Sequence, residues 1–333
     1  MTDRRVLVTT AYLEPGDEVH RLLRDAGFAT VFARPEDRRR SGRSLREAVA
    51  DADGVEGIVA GTDQFTAEVL EAAPLLRVVG RCGAGYDNVD VAAATRRGVA
   101  VTHTPGANRR SVAEYVLGLL VCCARGIPRN AADVRAGGWP QPGGRELGGA
   151  TLGIVGLGSI GQAVARLGLA LGMRVLAYDP HLDRAFLEET GTRALPLADV
   201  LRESDFVTLH IALDATTRHL IDAAALRRLK PGAYLINTAR GGVLDEDALA
   251  GALARGELAG AALDVLEREP LPAGSPLRGL DNVLVTGHIA GATVEARSRS
   301  SLSAAHQVLD VLRGQAPAHL VNPGYRDARN AVR

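Results

Sequence analysis

Short apolar runs recur along the chain, each followed by a longer stretch whose apolar residues return at helical spacing. In the N-terminal part the pattern predicts strands over 5–10, 55–60, 77–81 and 99–103. Helices are predicted over 15–27, 66–73 and 89–97. Pro15 opens the first helix, and Gly27 and Gly98 close the first and last, matching the preference for Pro just inside a helix and Gly just beyond it. A long apolar helix over 111–125 and a Gly/Pro-rich loop over 137–144 interrupt the alternation. It resumes with strands over 151–156, 174–178, 206–210, 233–237, 260–265 and 282–286. Short, almost wholly apolar strands separated by helices are the mark of parallel sheets covered on both faces. The chain therefore reads as α/β, in two separate series with no internal repeat.

Its 333 residues suffice for about two domains. Charge changes the picture only by exclusion. Lys and Arg number 39, Asp and Glu 39, so no net field draws the protein to nucleic acid or to an anionic membrane. The basic run 37–43 has no interleaved aromatic residues and is expected to be a solvated loop. The N-terminus lacks the apolar core of a secretory signal, and the apolar run 112–124 contains Glu114 and is too short to span a bilayer. Cys82, Cys122 and Cys123 show no metal-ligand spacing, so no metal is expected, and their sparse, odd number suits a reducing cytoplasm.

Candidate chemistry begins at Gly156, Gly158 and Gly161, a G-x-G-x-x-G placed between a predicted strand and a predicted helix. The first glycine permits the tight turn, the second lets backbone approach a pyrophosphate, and the third allows helix to meet strand. Phosphate then lies at the helix N-terminus. Asp179 ends the next strand at roughly the 20-residue distance expected of an acid that binds an adenosine ribose. Its carboxylate would repel a 2′-phosphate, and Pro180 and His181 supply no arginine, so NAD(H) is expected in preference to NADP(H).

Three later strands each run into a polar group: Arg240 after Asn237, Glu269 after Asp264, and His288 after Thr286. In a nucleotide-binding sheet the carboxyl ends of the strands line the ligand crevice. An arginine there offers a planar fork to a carboxylate. A histidine, with an ordinary pKa of about 6.5, suits proton transfer. A neighbouring carboxylate favours the imidazolium and orients the ring. Together with a dinucleotide, these groups point to hydride transfer on a 2-hydroxy or 2-keto acid.

The segments RCGAGYDNVD (81–90), HTPGANRRSVAE (103–114), GLGSIGQAVA (156–165), SDFVTLHIAL (204–213), KPGAYLINTARGGVLDEDAL (230–249), GAALDVLEREP (260–270) and GHIAGATVEA (287–296) resemble the D-isomer-specific 2-hydroxyacid dehydrogenases, including the glycerate and short phosphoglycerate type. The resemblance implies two Rossmann-like/flavodoxin-like doubly wound parallel-sheet domains with the active site in a cleft between them. Residues 1–103 plus 297–333 would form the substrate domain and 104–296 the NAD-binding domain. It implies Arg240, Glu269 and His288 as the catalytic set. Gly156, Gly158, Ser159, Ile160, Gly161, Asp179, Pro180, His210, Asn237, Thr238, Ala239, Arg240, Asp264, His288 and Gly291 would line the cofactor. Cys82, Gly83, Ala84 and Gly85, with Arg240 and His288, would hold the substrate, the turn through its backbone N–H groups. A homodimer formed through the cofactor domains, around 111–125, is also implied.

Two prolines usual in the family are replaced, by Gly287 before the histidine and by Ala212. After Val59 a basic residue common in phosphoglycerate-type members is absent. Arg81, Arg109 and Arg110 could each serve an acidic substrate or form a structural ion pair. A phosphate- or phosphonate-bearing 2-hydroxy acid therefore remains an alternative substrate. A NAD-sensing, corepressor-like binding protein is the alternative of a different class.

Overall fold

The structure, a computed structural model, describes residues 4–331. It divides into two compact units, 1–108 with 293–333, and 109–292. The first contains a five-stranded parallel sheet in the order β2-β1-β3-β4-β5, with β1 Arg5–Val8, β2 Ala29–Phe32, β3 Val55–Ala60, β4 Val78–Arg81 and β5 Ala100–Thr102. Helix Val294–Leu312 packs across this sheet and brings Ala304, Val308 and Leu312 into its core. A Cβ on Gly80 would come within 2.6 Å of Val308, so this glycine sets how closely helix and sheet approach.

The second unit contains a seven-stranded parallel sheet, β12-β11-β10-β9-β6-β7-β8. Its strands are β6 Thr151–Val155, β7 Arg174–Tyr178, β8 Arg193–Ala194, β9 Phe206–Leu209, β10 Tyr234–Asn237, β11 Gly260–Leu263 and β12 Val283–Val285. From β6 the chain runs outward through β7 and β8, then returns to the other side of β6 with β9. The strand order therefore reverses between β6 and β9, and the carboxyl ends of those two strands form the crevice in which such sheets bind ligands. Leu152, Ile154, Phe206 and Leu209 are fully buried beneath it.

The basic run is not a loop. Pro35–Ser41 is helical, with Pro35 at its start, Glu36 and Asp37 in the first turn, arginines in the last, and Gly42 at φ +69° beyond it. Each of these features stabilises a helix end, and together they outweigh the polarity of the run. Arg38 pairs with Asp63 and Arg43 with Asp51, so charge within the unit meets both arginines.

Candidate active site

Two of the three glycines after β6, Gly156 and Gly161, are required by a close approach. Gly156 stands at φ +100°, and a Cβ there would lie 2.6 Å from the His210 carbonyl carbon. A Cβ on Gly161 would lie 2.0 Å from the Gly156 oxygen. Gly158 has open space around it and precedes helix Ser159–Ala170, whose N-terminus no side chain caps. The first-turn N–H groups, including those of Ser159 and Ile160, are thus left for an anionic ligand.

Asp179, directly after β7, accepts a hydrogen bond from Leu157 N–H at 2.6 Å and one from His181 N–H at 2.7 Å. The carboxylate clamps the glycine turn, and each oxygen retains a lone pair. Pro180 beside it is exposed. His210 follows β9; its Nε2 lies 2.9 Å from Thr208 Oγ1, and desolvation pushes its pKa down to about 3, so the ring is neutral near pH 7.

After β10, the fully buried Asn237 accepts from Ala239 N–H and donates to the Arg240 carbonyl, both at 3.0 Å, folding residues 237–240 into a tight turn. Thr238 Oγ1 is buried without a hydrogen-bond partner, the state of a group that completes its bonding with a ligand. Arg240 Nη1 donates to the Ala239 carbonyl at 2.7 Å. Gly241 then meets the loop after β11 backbone to backbone: a Cβ there would lie 1.9 Å from the Leu266 carbonyl carbon.

That loop carries Glu269. Its Oε2 is 2.9 Å from His288 Nδ1, and its Oε1 accepts from Leu266 N–H at 3.1 Å. Desolvation raises the carboxyl pKa, but the hydrogen bonds from His288 and Leu266 and the charges of His288 and Arg240 outweigh it. Glu269 therefore titrates below the usual carboxylate range and is ionised near pH 7. His288 itself stands at φ +58°, in the left-handed region that non-glycine residues rarely occupy.

Asp264, expected to line the cofactor, has another task. Its buried carboxylate accepts from Thr286 Oγ1 at 2.6 Å, Ile289 N–H at 2.9 Å and Ala290 N–H at 2.7 Å, while its carbonyl accepts from His288 N–H at 2.8 Å. These four bonds wrap the chain from Thr286 to Ala290, directly before Gly291, around one residue and hold His288 in its unusual conformation. Gly287 has an ordinary φ and open space at its Cβ position, so the missing proline leaves no hole there.

In the first unit, the turn after β4 differs from its expected use. Cys82 N–H donates to the Ala60 carbonyl, and Gly83 N–H to Thr104 Oγ1, both at 2.9 Å. Among the described residues, only the Ala84 and Gly85 amides of this turn lack a partner. Arg81 folds over the turn, with Nε 3.2 Å from Asn88 Oδ1 and Nη1 on the Cys82 carbonyl, and so shapes the turn itself. Arg110 pairs with Glu114 one helical turn away.

Residues 117–290 match the family described as D-isomer specific 2-hydroxyacid dehydrogenase, NAD binding domain. The chain is 43% identical over 288 residues to a glyoxylate reductase of Korarchaeum cryptofilum, covering 85% of this chain and 86% of that protein. It is 38% identical to a D-3-phosphoglycerate dehydrogenase of Methanocaldococcus jannaschii over 96% of its own length, but spans only 59% of that relative. A crystal structure of a Thermus thermophilus protein superposes with a TM-score of 0.83 at 38% identity, over 95% of this chain and 99% of that one. With two glycines that only a close-lying backbone explains, a third that opens an uncapped helix, and an unpartnered Thr238 hydroxyl after a strand of the same sheet, the second unit fits the dinucleotide that this family uses. The chain belongs to the D-isomer-specific 2-hydroxyacid dehydrogenases and is an NAD-dependent oxidoreductase acting on the CH–OH group of a 2-hydroxy acid.

Proposed function

We propose that His288 is the acid/base of this reaction, Glu269 its partner, and Arg240 the cation that holds the substrate carboxylate. The observation that carries this reading is the 2.9 Å contact between His288 Nδ1 and Glu269 Oε2. A carboxylate accepts, so Nδ1 carries its proton in both states of the ring, and Nε2 is the nitrogen that exchanges a proton with the substrate. NADH, when bound, supplies the hydride to C2. The imidazolium gives its proton to the carbonyl oxygen as the alcohol forms, and Glu269 balances the charge of the ring before transfer. In oxidation the neutral ring accepts the hydroxyl proton. Arg240 offers its fork to the C1 carboxylate.

Glu269→Gln tests this directly. Loss of the negative charge disfavours the imidazolium, so the high-pH limb of kcat/KM for reduction should move to lower pH. An unchanged limb would remove Glu269 from the pair. At low pH the sign is also set: Glu269 titrates below its ordinary range, so the pair is present above that range and is lost only as pH falls through the depressed value.

Small 2-keto acids such as glyoxylate and hydroxypyruvate are the proposed substrates, because similarity to the glyoxylate reductase extends over most of that protein's length. Asp179 supports NADH over NADPH, since its carboxylate faces the ribose end of the cofactor in this reading. Asp179→Ala should lower the NADH/NADPH preference at least about tenfold, the effect of one charge-assisted hydrogen bond and one lost repulsion. An unchanged preference would end this role.

A homodimer is proposed through the second unit. Helix Ile127–Arg135 buries no residue, and Trp139 beyond it is 79% exposed, a state that apolar side chains leave on association. Among the described residues, no single helix is long and apolar enough to cross a membrane. We place the protein in the cytoplasm, in keeping with its three free cysteines.

A further inference from the structure

We propose that His219, Glu267 and Glu246 form a positioning network for the His288–Glu269 pair. The proposal rests on the roles given above to those two residues. All five lie in the second unit. Glu267 precedes Glu269 by two residues on the loop after β11. Its Oε1 is 2.9 Å from His219 Nε2 and accepts from Glu246 N–H at 3.5 Å, while its own N–H donates to Glu246 Oε1. The backbone of each glutamate is thus held by the carboxylate of the other. Arg218 adds charge, with Nη2 3.7 Å from Glu267 Oε2.

Three features separate this cluster from an ordinary surface ion pair, which would contribute little. His219 stands at φ +50°; with His288 it makes up the non-glycine residues in the left-handed region among those described. Its N–H donates to the Gly242 carbonyl at 2.8 Å, so the histidine joins the loop that follows Arg240 to the loop that carries Glu269. Glu246 is the first residue of helix Glu246–Ala254 and is half-buried; burial, and then the charges of Glu267, Asp247 and Glu269, push its pKa up. Two carboxylates are therefore kept side by side against their repulsion, with the His219 ring and the Arg218 guanidinium beside them.

Mechanically, the loop from Leu266 to Glu269 is gripped from two sides. Gly241 presses on Leu266 backbone to backbone, and the network holds Glu267. A twist at Glu267 would swing the Glu269 carboxylate away from His288. A displacement of about 1 Å in such a group can cost on the order of a hundredfold in rate. The three residues act on His288 through Glu269, whose loop they hold.

Positioning through one residue predicts non-additivity. Glu267→Ala should lower kcat for 2-keto acid reduction about tenfold and leave the NADH Kd within about twofold; in a Glu269→Gln background the same change should lower kcat by less than about twofold. Glu267→Gln keeps the accepting oxygen and should restore kcat to within about threefold of wild type. Should Glu267→Ala fail to fold, His219→Asn repeats the test, because asparagine tolerates the left-handed backbone. Equal losses in both backgrounds, or wild-type kcat in Glu267→Ala, would overturn the network. Wild-type kinetics in Glu269→Gln alone would instead overturn the underlying pair.

Discussion

Replacing His288 by Asn should lower kcat about 10²–10⁴-fold, the usual contribution of a positioned acid/base. NADH affinity should stay within about twofold, because the glycine turn and Asp179 do not touch this residue. Asn is the informative choice because residue 288 stands at φ +58°, a conformation that asparagine adopts at little cost while a β-branched residue would not. The Asp264 clamp then survives the substitution: it grips the backbone N–H of residues 288–290 and the Thr286 hydroxyl, not the imidazole. Loss of NADH binding along with turnover would point to a structural histidine.

Gly241→Ala should be almost as damaging, by a different route. Its Cβ would lie 1.9 Å from the Leu266 carbonyl carbon and 2.2 Å from Glu267 N, both backbone atoms that no side-chain rotation can move. The loops bearing Arg240 and Glu269 must part. Overpacking of this kind costs about 1–3 kcal/mol of stability, and the separation of cation from carboxylate should lower kcat at least about a hundredfold. Gly287→Ala is the matching control: with ordinary φ and open space, it should fold and turn over as wild type. A Gly241→Ala enzyme of near-native kcat would show that contact between these loops does not matter for catalysis.

Why were the glycine turn and the strand-end acids readable in advance, and the clamp not? Gly156 and Gly161 declare themselves because a backbone-to-backbone approach admits no other residue, Gly158 by its place between them at the helix start, and the predicted strands are apolar enough to delimit all three. The edge strand Ala29–Phe32 escaped notice because it is only half-buried, and β8 because it is two residues long. Helix Pro35–Ser41 was hidden by its arginines, although Pro35, Glu36, Asp37 and Gly42 mark both of its ends. Asp264 was visible as an acid at a strand end, but its partners are backbone N–H groups more than twenty residues away, which no local pattern encodes. The same holds for His219 and Glu267, ordinary loop residues until the fold brings them together. At Gly287, where the family's usual proline is replaced, the Asp264 clamp supplies from outside the turn the restraint that proline would supply from within it.

The most direct test of the account is the reduction of hydroxypyruvate by the wild-type protein with NADH, read together with the configuration of the product. The account predicts NADH oxidation at enzyme-like rates, a product of D configuration, and loss of turnover in His288→Asn with NADH still bound. NADH binding without turnover on hydroxypyruvate, glyoxylate or their phosphorylated and phosphonate analogues, or a product of L configuration, would contradict it.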